Sequence, residues 1–179
     1  MNKKFKNLTI EILDALLGAL EGLATASLDK KEAYRIINGI SEREWTVASI
    51  SKFFNSLKAR KYIEVVKRNG SESIQFTNKA KLALVDITAG KMKSDKKYCF
   101  VSFDIPESMK TRRDAFRRVL KRIGFRKIQK SLWVCNKSVG NLVDLASQEF
   151  GVEDYIVYIV SDQTNINSFI SDQFSKFDC

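Results

Sequence analysis

Apolar positions along the chain follow helical and strand periods in turn, and the switches between them mark the elements. From Asn7 to Leu23, leucines at 13, 16, 17 and 20 share one face of a helix. Asp29 and Glu32 are spaced like a capping box, and a second helix follows with Ala33, Tyr34, Ile36 and Ile37 inward and Gly39 near its end. A third helix, about Thr46 to Lys61, carries the stripe Ile50, Phe53, Phe54 and Leu57. Strand-like runs Tyr62 to Lys67 and Ser73 to Phe76 flank Asn69-Gly70, a strong hairpin signal. A helix from Asn78 to about Ile87 closes this half.

The stretch TAGKMKSDKK (residues 88–97) is polar and holds the domain boundary. Beyond it, Tyr98, Cys99, Phe100, Val101 and Phe103 read as a strand buried on both faces, ending at Asp104. Pro106, the chain's single proline, turns the chain. A helix follows with Phe116, Val119, Leu120 and Ile123 on one face and Gly124 just past its end. Phe125 to Gln129 and Leu132 to Cys135 are short strands, Ser138 to Phe150 a helix stopped by Gly151, and YIVYIV (155–160) a last strand. Strand, helix, strand, strand, helix, strand is the order of a ferredoxin-like α+β domain. In the tail, Ile166, Phe169, Ile170 and Phe174 have roughly helical spacing and predict a packed helix.

Composition narrows the chemistry. The chain of 179 residues has a formal net charge of +10 and a pI near 9.5, which calls for an acidic partner. The charge is segregated: residues 96–130 hold 12 basic against 3 acidic side chains, and residues 131–179 hold 2 against 7. That asymmetry favours a nucleic-acid surface over general solubility. With no histidine and three separated cysteines, Cys–His and Ser–His–Asp sites and zinc-finger spacings are excluded. Cys99 and Cys135 lie in apolar runs and are expected to be buried packing residues in a reducing cytoplasm. The N-terminus begins like a signal peptide, but Glu11 and Asp14 interrupt its apolar run. No membrane span is expected.

On the third helix, about 100° per residue places Lys52 and Asn55 opposite the apolar stripe, with Ser51 and Ser56 beside them. Three helices and a basic-tipped hairpin are the pattern of a winged helix-turn-helix domain. TVASISKFFNSLKARKYIEVVKRNG resembles the recognition helix and wing of bacterial transcription regulators. In a major groove Asn pairs with adenine and Lys with guanine, so Ser51, Lys52, Asn55 and Ser56 are the expected base readers. Lys58, Arg60, Lys67 and Arg68 are expected on the phosphate backbone. The plainer alternative is a winged helix that docks protein through a solvated polar face.

The second half is similar to the ferredoxin-like fold of the CRISPR adaptation subunit, the second Cas protein, over about residues 97–161. The marks are Phe103-Asp104-Ile105, an arginine-rich first helix and the "GF…IQ.S.W" strands. The closer resemblance keeps the winged helix. "FDIPE…RRDAFRRVLKRIGF…IQKSLWV" after such a domain resembles the PaaX-like repressor family across about residues 9–161. The resemblance implies a sequence-specific double-stranded DNA-binding regulator, a repressor, acting as a homodimer in the cytoplasm. Its winged helix-turn-helix domain would span 1–90, a linker 91–97, a Cas-two-like dimerisation domain 98–162 and a tail 163–179. Members of that family commonly have a further C-terminal domain, and some respond to an acyl-CoA. That response is not expected here, and any small-molecule effector is left open.

Two alternatives stay open. In Cas-two-type nucleases the acid at the end of the first strand is proposed to hold a divalent metal across the dimer axis, which would make Asp104 a ligand for Mg²⁺ or Mn²⁺. Hydrolysis of that kind needs clustered carboxylates, and only Glu107 is near in the sequence. Otherwise Asp104 caps the turn before the helix by accepting N–H bonds around Glu107 and Ser108. The arginine helix (Arg112, Arg113, Arg117, Arg118) either pairs with Asp114 and the acidic C-terminal portion or contacts phosphates, with Arg113 and Arg117 the candidates. Trp133 is expected in the core. The overall expectation is a DNA-binding protein without catalytic residues or cofactor.

Overall fold

A computed structural model describes residues 9–16, 18, 27–40, 45–68 and 70–175. The chain forms two compact units, Met1–Leu84 and Val85–Cys179. The first contains helix α1 (residues 9–16), strand β1 (Ser27–Asp29), helices α2 (Lys30–Ile40) and α3 (Val47–Ala59), strands β2 (Ile63–Arg68) and β3 (Ser71–Phe76), and helix α4 (Asn78–Ala83). Its core is built from Ile12, Leu13 and Leu16 of α1, Ala33 and Ile37 of α2, and the whole predicted stripe of α3. Leu17 and Leu20 lie outside the described residues, and Tyr34 and Ile36 are half-buried.

Strand β1 was not apparent in the sequence. It pairs with β3, so the hairpin becomes a three-stranded sheet in the order β1-β3-β2. Three residues carry too short a pattern to register as a strand, and Asp29, expected to open the second helix, is the last of them. Thr46 caps α3: its Oγ1 accepts a hydrogen bond from the Ser49 amide at 3.2 Å. The helix stops at Ala59, two residues early, because Lys61 turns into the left-handed region at φ 57°. Thr77 does the same capping service for α4, accepting from the Ala80 amide at 3.3 Å while its hydroxyl donates to the Lys61 carbonyl at 2.7 Å.

The second unit runs α5 (Val85–Lys91), β4 (Ser94–Phe103), α6 (Lys110–Ile123), β5 (Arg126–Lys127), β6 (Leu132–Lys137), α7 (Gly140–Phe150), β7 (Ile156–Ser161) and α8 (Asn167–Ser175). Its sheet has the order β5-β6-β4-β7 with antiparallel neighbours throughout. The stretch expected as a linker, 91–97, instead holds the end of α5 and the start of β4, and the units divide between Leu84 and Val85. Its polar composition belongs to an exposed strand end: Ser94 pairs with Lys137, and the register shifts before Cys99. Lys137 Nζ donates to the Ala89 carbonyl at 2.9 Å, tying α5 to this unit.

Cys99, Val101 and Phe103 on β4 point to one face, where Phe103 meets Phe116 of α6 edge-on at 5.7 Å. Phe116, Val119, Leu120 and Ile123 are all buried, each side chain contributing about 1.5–3 kcal/mol of transfer free energy. Gly124, with φ 111°, ends α6 where a side chain would be strained. Trp133 is buried opposite Val101. In the tail helix α8, Ile170 is buried while Phe169 is exposed.

Candidate nucleic-acid interface

Because the apolar stripe of α3 is fully buried, its opposite face is fixed outward. Lys52 and Asn55 are exposed on it, and among the described residues neither side chain has a hydrogen bond or ion pair. Ser51 is drawn partly inward: its hydroxyl lies 3.0 Å from that of Tyr34, linking α3 to α2. Ser56 is half-buried. The four expected base readers thus divide into two free side chains and two that sit at the edge of the packing.

The expected phosphate contacts divide as well. Lys58 is exposed on α3, while Arg60 is half-buried and its carbonyl accepts a hydrogen bond from Lys79 Nζ at 3.0 Å. Lys67 is exposed near the hairpin tip, directly opposite Glu72 in the register. The Arg68 side chain lies outside the described residues; its backbone pairs with Ser71. Between α3 and the hairpin runs a groove of about 240 Å³. Phe54, Ile63, Val65 and Ile74 form its apolar floor, and Ser51, Asn55, Lys58 and Glu72 its polar rim. The exposed face of α3 and the exposed side of the hairpin are therefore continuous.

In the second unit, Arg113 and Arg117 are held within the fold. Arg113 donates to Glu107 Oε2 at 2.7 Å and to the Ile105 carbonyl at 3.2 Å, and its side chain is only 18% exposed. The same guanidinium holds the Glu107 carboxyl below its usual range, first through the hydrogen bond and then through charge. Arg117 pairs with Asp114 at 3.6 Å and lies over the Phe103 ring at 5.4 Å from its centroid. These two arginines fasten α6 to the end of β4.

Asp104, at the end of β4, is exposed; its backbone N–H donates to the Tyr155 carbonyl at 3.0 Å. The expected capping role is not made: the turn Glu107–Met109 has no side-chain cap. Pro106 occupies the cap position, and Glu107 is turned to Arg113. Glu107, the acid nearest to Asp104 in the sequence, is engaged by Arg113, and no group of three potential ligand side chains gathers among the described residues.

Cys99 and Cys135 lie directly opposite each other on β4 and β6, both free and buried. Burial, then the neighbouring Cys135, pushes the Cys99 thiol up to about 11, and burial raises Cys135 as well. They are packing residues. No described helix is long and apolar enough to cross a membrane.

One surface escaped the sequence reading. YIVYIV reads as a simple final strand, but among the described residues β7 is an edge strand paired only with β4, and Val157, Tyr158, Ile159 and Val160 are all exposed. The signal was the absence of alternation: a strand with no polar face, placed at an edge, leaves apolar side chains uncovered.

Residues 91–169 match the family model of the PaaX protein central Cas2-like domain. No curated protein and no solved structure matches the chain at a significant level. The match covers β4 to β7 with the start of the tail helix, the span whose strand order and antiparallel pairing were just described. The second unit is therefore similar to the central Cas2-like domain of PaaX proteins.

Proposed function

We propose that the protein is a homodimeric, sequence-specific duplex-DNA-binding regulator, a repressor of PaaX type, whose first unit is a winged helix-turn-helix domain. The observation that carries this reading is the outward face of α3, where Lys52 and Asn55 stand exposed and, among the described residues, without a hydrogen bond or ion pair. The element order α1-β1-α2-α3-β2-β3, with a three-stranded sheet, supports the winged-helix assignment. Asn55 offers the donor and acceptor that adenine requires and Lys52 the donor that guanine requires, while Lys58 and Lys67 flank them at phosphate positions.

The second unit supplies the dimer. β7 has an unpaired edge, and Val157 and Ile159, which project beside Ser102 and Phe100 on the same sheet face, are about 60% exposed. A second copy of the same strand would cover them in a two-fold, self-complementary contact. The second unit would then set the spacing of the two half-sites.

The test is selection of bound fragments from sheared genomic DNA by the purified protein in EDTA, at near-physiological salt. EDTA suppresses any metal-dependent cleavage and the salt suppresses purely electrostatic binding. Enrichment of one near-palindromic site is expected. A flat pool together with a stable protein partner in pull-downs would replace this reading with a protein-docking winged helix.

A further inference from the structure

Two of the three acids of the arginine-rich stretch are used within the fold, and among the described residues some of its cations are left without a counter-charge. Residues 96–130 contain three carboxylates. Glu107 is taken by Arg113 and Asp114 by Arg117, while Asp104 stands apart at the strand end. Arg122 finds its partner further off, Asp86 of α5, at 2.8 Å. Arg118 and Lys121 remain. Both are exposed on α6, and among the described residues neither has a hydrogen bond or ion pair. Spaced i and i+3, they stand about one turn apart on one side of the helix. Lys127 on β5, at the opposite sheet edge from β7, is exposed and unpartnered as well.

Acidic side chains in this unit do not compensate for them. Asp144 and Glu149 on α7 and Glu153 and Asp154 after it are exposed, yet none pairs with α6. Arg112, the α6 cation that reaches toward that region, donates to the Gly151 carbonyl rather than to a carboxylate. Although α6 packs against α7, no ion pair joins the two helices among the described residues. An uncompensated cationic helix face costs self-repulsion and gains when a polyanion releases its counterions there.

We infer that Arg118 and Lys121 form a second DNA contact, a sequence-independent grip on the duplex backbone by the PaaX-type unit itself. This rests on the proposal that the partner of the chain is duplex DNA, and it adds a phosphate-binding surface distinct from α3.

The experiment measures the affinity of the full-length protein for a labelled duplex of scrambled sequence across a salt series. R118Q/K121Q is compared with wild type, and R118E/K121E serves as the stronger perturbation. Both positions are exposed on a helix whose buried stripe is untouched, and circular dichroism of the glutamine variant checks the fold. With two phosphate contacts removed, the slope of log affinity against log salt is expected to fall by about 1.8, at about 0.9 for each contact. Unchanged slope and affinity in both variants would overturn the inference, as would wild-type binding to anionic lipid vesicles but not to duplex. The selection experiment separates the two proposals. A lost slope with a flat genomic pool leaves this contact standing without the sequence-specific regulator. An enriched operator with an unchanged slope leaves the regulator standing without this contact.

Discussion

Helices α3 and α6 look alike as sequences: each buries four apolar residues at helical spacing and turns a basic, polar face away from them. The structure gives those faces opposite fates. On α3 no acid among the described residues engages Lys52, and it and Asn55 stay open. On α6, carboxylates at Glu107, Asp114 and Asp86 draw in Arg113, Arg117 and Arg122, and the helix becomes a fastening as much as a surface. The number of cations on a helix thus says little about how many remain for a partner. Reach to an acid decides that, and reach depends on the tertiary fold.

The sharpest way to break this comparison is to truncate the open face of α3. Lys52→Ala with Asn55→Ala is expected to abolish site selection, because each well-made side-chain pair with a base is worth about 1–3 kcal/mol of discrimination. Weak, salt-sensitive binding remains, and fold stability stays within about 0.5 kcal/mol, since both side chains are exposed. Operator enrichment as strong as that of wild type would remove α3 from the recognition role. The corresponding disruption of the second unit is at β7. Val157→Lys with Ile159→Lys places like charges on an edge that a second copy is proposed to cover, and light scattering after gel filtration should show monomer. A dimer unchanged in mass would move the interface elsewhere.

On α6 the expected effect is on stability. Arg113→Ala removes the hydrogen bond to the Ile105 carbonyl and a side chain packed over most of its length, at a cost of about 1–2 kcal/mol in denaturant unfolding. The pH dependence follows from Glu107, whose pKa is lowered in the folded state. A depressed carboxylate contributes stability that is present above its unfolded pKa and lost as pH falls through the folded value. The gap between wild type and variant should therefore be full near neutral pH and narrow as the solution is acidified below the ordinary glutamate range. A gap independent of pH would mean that Arg113 acts through packing and its bond to the Ile105 carbonyl, without Glu107.

How much of this was legible beforehand depends on the range of the forces involved. The buried stripes of α3 and α6 were read correctly residue by residue, because burial on a helix is set by spacing along the chain. The strand order of the second unit was also implicit, in its alternation of apolar runs and helical spacings. What could not be read involved partners distant in sequence. Strand β1 exists because β3 offers it an edge, and Arg122 is neutralised by a carboxylate 36 positions away. Ser51 was grouped with the free base readers because nothing near it in sequence announces the Tyr34 hydroxyl 17 positions earlier. The polar linker failed for a related reason: composition cannot separate a loop from the exposed end of a strand that is paired elsewhere.

The two helices also end differently, and this yields the smallest effect. Each is followed by a residue in the left-handed region, Gly124 at φ 111° after α6 and Lys61 at φ 57° after α3. For a residue with a Cβ that conformation costs roughly 1–2 kcal/mol, part of which glycine recovers and part of which it gives back through the greater freedom of the unfolded chain. Lys61→Gly is therefore expected to raise stability by about 0.5 kcal/mol or slightly more, and Gly124→Ala to lower it by about 1 kcal/mol, both measured as shifts in the denaturant midpoint. If Lys61→Gly is stabilising but weakens binding to scrambled duplex, then a strained lysine stands where glycine would fold better because its ammonium serves the α3 surface. If it is stabilising and leaves binding unchanged, the strain at the end of α3 has no bearing on DNA, and the open face of the helix stops at Lys58.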